Sequence, residues 1–175
     1  MDLRSRIRDI PDYPQPGIVF RDITPLLLDP RALDATIDGL VAFGAGREVD
    51  FVVAAEARGF IVGGALASRL GAGFVPARKP GKLPPETISA EYVLEYGVDA
   101  LEMNAEAFSH GARVLVHDDL LATGGTARAL CDLVEQLGGH VVGCCFIAEL
   151  SFLGGRERLA PFEVHALVDY PSEQA

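Results

Sequence analysis

The chain has 175 residues, 49% of them hydrophobic, and a formal net charge of −10. That length suits one domain with a sizeable core, and the acidic balance excludes a nucleic-acid binder that works through an overall positive field. No apolar run is long enough to cross a bilayer, and the N-terminal MDLRSRIRDI mixes charges among its few apolar residues, unlike a secretory signal, so the chain reads as soluble and cytoplasmic.

The first third, with PDYPQPGIVFRDITPLL, is rich in proline and lies outside the alternation that follows. Residues 1–35 are expected to form a small hood over the sheet of a single domain spanning 1–175. DFVVAA, residues 50–55, is a short apolar run consistent with a buried strand. GFIVGGALASRLG, 59–71, reads as a small-residue helix packed close to a sheet and ending near Gly71. GFVPAR, 73–78, is a second strand, and LEYG, 94–97, ends a further strand or lid. ARVLVHDD, 112–119, gives the strongest strand, centred on Val114, Leu115 and Val116. GTARALCDLVEQLGG, 125–139, is an amphipathic helix with Ala127, Leu130, Val134 and Leu137 on one face and Gly138 or Gly139 as its stop. HVVGCCFIAEL, 140–150, is another buried strand. Strands alternating with helices predict an α/β fold: a doubly wound, mainly parallel sheet flanked by helices. Ligands of such sheets sit beyond the carboxyl ends of the strands, where HDD falls.

The stretch HDDLLATGGTAR, 117–128, carries the chemistry. A helix start offers unpaired N–H groups and a partial positive charge. Gly124 and Gly125 let that backbone approach a ligand, Ala122 precedes the turn, and Thr123 and Thr126 add hydroxyls, which together make a phosphate cradle. No lysine follows the turn as in a Walker loop, and the spacing is not GxGxxG. Asp118 and Asp119 would repel a phosphate, so they must meet another part of the same ligand: sugar hydroxyls, or the hydration shell of Mg²⁺. The plain alternative is a helix cap beside a solvated acidic turn. His117 is either a neutral histidine satisfied by one hydrogen bond or a residue that orients the acidic pair. The four histidines show no HxH or HExxH spacing, and Cys131, Cys144 and Cys145 no CxxC, so neither a transition-metal site nor a disulfide framework is indicated.

Both lysines of the chain, Lys79 and Lys82, lie beside Arg78 in RKPGKLP, with no acid between 78 and 85. Prolines and Gly81 make this a loop, read either as solvated surface or, near a phosphate cradle, as an anion-binding segment. Arg58, in EARGF at the end of the 50–55 strand, is placed to meet an anion as a forked donor, or else to form a surface ion pair. Phe20, in GIVFRD, is an aromatic face flanked by Arg21 and Asp22 that would suit a flat base, or a core residue.

VLVHDDLLATGGTA resembles the phosphoribosyl-diphosphate-binding motif of the type I phosphoribosyltransferases, and the wording DDLLATGGT resembles their adenine-specific members. DYPQPGIVFRDITPLL, EARGF, RKPGKLP and LEYG resemble further blocks in that family's order. The resemblance implies the type I phosphoribosyltransferase fold with its hood over the base site, and transfer of phosphoribosyl from phosphoribosyl diphosphate to adenine with Mg²⁺. It implies a phosphoribosyl site at Asp118, Asp119 and Ala122 to Thr126. Diphosphate would meet Glu56, Ala57, Arg58, Arg78, Lys79 and Lys82, with a cis peptide between Glu56 and Ala57. Adenine would meet Phe20, and Val19 and Arg21 through main chain and side chain. Glu95 would handle a proton at the purine N7, with Tyr96 in the lid; Arg58 and Lys82 join Glu95 as catalytic candidates. A homodimer is implied, in which the basic loop reaches the neighbouring subunit's site. The competing readings are a phosphoribosyltransferase for another base and a non-catalytic regulator that binds phosphoribosyl diphosphate; the acidic chain has no spare basic domain for the latter, and a nucleotide kinase lacks its Walker loop.

Overall fold

The computed structural model describes residues 1–94 and 97–173. At its centre lies a five-stranded sheet built from β3 (Phe51–Ala55), β4 (Gly73–Ala77), β7 (Arg113–Leu121), β8 (His140–Leu150) and β9 (Val164–Tyr170), in the order β4-β3-β7-β8-β9. All four neighbouring pairs are parallel. Strands of this kind are covered on both faces and need no polar alternation. Accordingly Val52, Leu115, Cys145 and Ile147 face one core, while Val53, Val114, Val116, Cys144 and Phe146 face the other.

The first core is closed by α2 (Pro30–Gly44) and α3 (Arg58–Leu70), which bring Leu40, Val62 and Leu66 to it. α3 ends at Gly71, which takes the left-handed conformation that stops a helix cheaply. The second core is closed by α4 (Gly125–Gln136), through Ala127, Leu130, Leu133 and Val134, and by the short α5 (Gly155–Leu159). Leu137 packs against the same core, as expected, while also capping α4, and the left-handed Gly138 follows.

An antiparallel hairpin, β5 (Thr87–Leu94) with β6 (Gly97–Asn104), packs across α4 through Ile88, Ala90, Leu101 and Met103. A smaller hairpin, β1 (Arg8–Pro11) with β2 (Val19–Asp22), and the short α1 (Thr24–Leu28) make up the N-terminal part. The boundary expected at residue 35 corresponds to no break, because it cuts α2. That helix belongs to the sheet's helical layer. Its start is fixed by the Asp29 side chain, which accepts from Arg31 N at 2.9 Å, with Pro30 at the first position.

The chain enters the sheet at β3, steps outward to β4, then returns past β3 to β7. The direction of winding reverses between β3 and β7, so their carboxyl ends flank the crevice where open α/β sheets bind ligands.

Candidate active site

A cavity of about 370 Å³ opens at that reversal. Ala55 to Arg58 at the end of β3 line one side, Asp118 and Asp119 near the end of β7 another, and Lys79, Tyr92 and Thr126 complete it. The Glu56–Ala57 peptide is cis, as the resemblance implied.

β7 delivers the acidic pair in unequal environments. Asp119 is buried and accepts from Arg58 Nε at 2.7 Å. Asp118 sits against α3 where Gly59 leaves room: a Cβ at Gly59 would lie 2.8 Å from Asp118 Oδ1. Its depth, and then the neighbouring Asp119 carboxylate, push the Asp118 carboxyl well above the usual range. The Arg58 guanidinium partly offsets this rise for Asp118 while it pairs with Asp119. The pair therefore offers hydroxyl-binding oxygens in two different settings.

Where β7 runs into α4, residues 120–127 with Tyr92 and Val93 line a pocket of about 70 Å³. Gly124 caps α4 at φ +82° without any side-chain cap, so the first N–H groups of the helix remain available to an anion. The expected cradle, Ala122 to Thr126, is contiguous with the cavity beside the acidic pair: Thr126 lines both.

The basic loop follows β4 and is held down by carboxylates from elsewhere in the chain. Lys82 Nζ lies 2.6 Å from Glu56 Oε2, Arg78 Nε lies 3.3 Å from Glu56 Oε1, and Lys79 N donates to Glu56 Oε1 at 2.8 Å. These contacts, led by Lys82, lower the Glu56 carboxyl below its ordinary range. The Lys79 ammonium pairs with Asp99 of β6, which also accepts from the Tyr92 hydroxyl at 3.2 Å. Each of the four expected diphosphate cations thus holds a carboxylate. The resemblance implies Glu56 at the diphosphate; its side chain faces the cations and its N–H donates to the Ala77 carbonyl at 3.0 Å, so in that peptide the remaining donor is the N–H of Ala57. Asp99 went unnoticed, since only the hairpin brings it to Lys79.

At the expected base site Phe20 is half-buried. The Arg58 guanidinium lies over its ring, 5.0 Å from the centroid, and Tyr13 meets it edge-on at 5.3 Å. Arg58 therefore joins the acidic pair to the expected base site. The Arg21 side chain corrects the sequence reading. It is 1% exposed, paired with Asp9 at 2.7 Å and stacked 4.2 Å from the centroid of Tyr170, so the side chain is committed to the fold. Glu95 and Tyr96 lie outside the described residues.

His117 is fully buried, with Nδ1 3.0 Å from the Cys145 carbonyl. A carbonyl only accepts, so Nδ1 carries the proton, and burial lowers the ring to about 4. Its polar contact is to β8, which favours the one-bond structural reading over a role on Asp118 or Asp119.

Residues 31–160 match the family model described as "Phosphoribosyl transferase domain". The adenine phosphoribosyltransferase of Rubrobacter xylanophilus is 57% identical over 169 residues, covering 96% of this chain and 91% of the relative. The chain belongs to the adenine phosphoribosyltransferase family. Among solved structures, that family's enzyme from Thermoanaerobacter pseudethanolicus superposes with a TM-score of 0.94 at 51% identity, covering 97% of this chain and 98% of the other. The Saccharomyces cerevisiae adenine phosphoribosyltransferase, complexed with an imino-altritol bisphosphate and adenine, superposes with a TM-score of 0.89 at 39% identity, covering 95% and 96%. Membership agrees with the parallel sheet, the crevice at its reversal, and the acidic pair followed by a glycine cradle.

Proposed function

We propose that the chain transfers the phosphoribosyl group of phosphoribosyl diphosphate to adenine, giving AMP and diphosphate in purine salvage. One observation carries the reading: Asp118, Asp119, Arg58 and Thr126, the last residue of the 122–126 cradle, line one crevice. The cradle takes the 5-phosphate and the acidic pair takes the ribose hydroxyls. Arg58, Arg78, Lys79 and Lys82, with the Glu56–Ala57 main chain, take the diphosphate. The hood brings Phe20 to the face of adenine and the main chain of Val19 and Arg21 to its edge.

The C1′–O bond to diphosphate breaks while adenine N9 bonds to C1′, and the proton displaced from the ring, at N7, is assigned to Glu95. The leaving diphosphate gains charge, which the four cations stabilise once they exchange their carboxylate partners for it. The hood and loop hold the reactants together and exclude water.

No cluster of three or more metal-ligating side chains occurs among the described residues. Mg²⁺ binds through substrate phosphates and one or two carboxylates while retaining waters, so two adjacent carboxylates on a roomy cavity fit an ion that arrives with its substrate. Asp118 and Asp119 would hold its water shell, and the bound ion would supply neutralisation of the diphosphate. We read the enzyme as a cytoplasmic homodimer, with small molecules as its partners and neither nucleic acid nor membrane.

The test is product identification. Adenine, phosphoribosyl diphosphate and Mg²⁺ should give AMP and diphosphate in equal amounts. Diphosphate release without AMP would remove the assignment, and equal AMP formation by an Asp118→Asn, Asp119→Asn double variant would take the acidic pair out of the site.

A further inference from the structure

The base-edge strand is fastened by a residue far from it in sequence. Val19 N–H donates to the Glu173 carboxylate at 2.5 Å, across 154 positions. Arg21 Nη2 donates to the Glu173 carbonyl at 2.7 Å. The same guanidinium lies over the ring of Tyr170, the last residue of β9, and pairs with Asp9 of β1. The segment after β9 thereby ties the outer edge of β2 to the edge of the central sheet.

The direction of the Val19 bond matters. β1 pairs with β2 in the register Ile10 to Phe20 and Pro11 to Val19. Proline has no N–H, and Val19 N–H points away from β1 to reach Glu173. Strand backbone groups repeat with a period of two, so the main chain of Arg21 faces the same outer edge. In that geometry the carbonyl of one residue lies beside the N–H of the residue two further on: an acceptor next to a donor. Adenine's edge presents the complement, an amino donor beside the N1 acceptor. Glu173 grips this edge one group away, at Val19 N–H.

We propose that Glu173 is a positioning residue for base recognition: its carboxylate, bound to Val19 N–H, fixes the outer edge of β2 in the register that adenine reads. This rests on the reading of Val19 to Arg21 as the base edge. Adenine affinity then depends on a side chain that does not touch the reacting atoms, while the phosphoribosyl half of the site, on β3, β7 and α4, does not.

The experiment compares Glu173→Ala, Glu173→Gln and Phe20→Ala in the full chain. Loss of a charge-assisted hydrogen bond should raise the KM for adenine about tenfold in Glu173→Ala. The kcat, and the KM for phosphoribosyl diphosphate, should stay within about twofold. Glu173→Gln keeps an acceptor and should recover most of the loss. An unchanged or lowered adenine KM in Glu173→Ala overturns the inference; a lowered one would make the tail a plug on the base edge. Equal rises in both KM values with a lower melting temperature overturn it in favour of general support. A raised adenine KM in Phe20→Ala alone would refute Glu173's role and leave the base site standing. No effect in either would remove both.

Discussion

Gly124 lets the cradle be tested through a single methyl group. Its φ of +82° is a conformation L-residues adopt at a cost of roughly 1–2 kcal/mol. A Cβ there would also lie 2.8 Å from the Gly155 carbonyl oxygen, a backbone atom that cannot rotate aside. Relieving the overlap means moving the start of α4 away from α5, so Gly124→Ala should cost about 2–4 kcal/mol in all. For a domain of this size that lowers the melting temperature by roughly 5–15 °C. Because the moved backbone is the proposed phosphate cradle, the KM for phosphoribosyl diphosphate should rise by about tenfold or more, with adenine less affected. Gly64→Ala is the control. Gly64 lies inside α3, where an added Cβ meets nothing within 4 Å, so alanine should stabilise by about 0.5–1 kcal/mol. Thermal unfolding and steady-state kinetics measure both. A Gly124→Ala protein as stable and as active as wild type would refute the strain and the cradle together.

Asp119→Asn removes the charge that Arg58 meets at 2.7 Å and should cut turnover by about 10²-fold with the fold retained; wild-type turnover would take the carboxylate out of the site. Glu56→Gln weakens the hold on Lys82 and Arg78, so limited proteolysis should cut residues 78–86 faster in the free protein. Phosphoribosyl diphosphate with Mg²⁺ should protect them; unchanged cleavage with ligand would count against closure. His117, lowered from 6.5 to about 4, takes up protons more readily when unfolded, so its contribution is intact above pH 6.5 and drains away as pH falls towards 4. At 1.36 kcal/mol per unit this amounts to about 3 kcal/mol. His117→Asn should flatten that part of the urea-denaturation profile, and an unaltered slope would show the acid sensitivity to lie elsewhere.

Four of the five strands of the parallel sheet were legible because they are apolar runs, separated by helices that end at glycines; β9 was not, since His165 and Asp169 interrupt its apolar residues. HDDLLATGGTAR was legible because strand, acid pair, glycines and helix start follow one another in sequence. The start of α2 carried its signal in Asp29 and Pro30, but the proline-rich stretch before it suggested irregular chain. What sequence could not show were pairings between distant elements: Glu56 with Lys82, Asp99 with Lys79, Glu173 with Val19. Arg21 illustrates the difficulty. An arginine beside Phe20 looks like a ligand, and only Asp9 and Tyr170, neighbours in space, show where its charge is used.

The central claim is tested most directly by the ratio of kcat/KM for adenine to that for hypoxanthine, at saturating phosphoribosyl diphosphate and Mg²⁺. Hypoxanthine carries a carbonyl in place of the amino group and a protonated N1, so both edge groups reverse their roles. Each unpaired buried polar group costs about 1–3 kcal/mol, so two mismatches predict a preference for adenine of at least about 30-fold. Comparable efficiency with hypoxanthine would contradict the account of the base site.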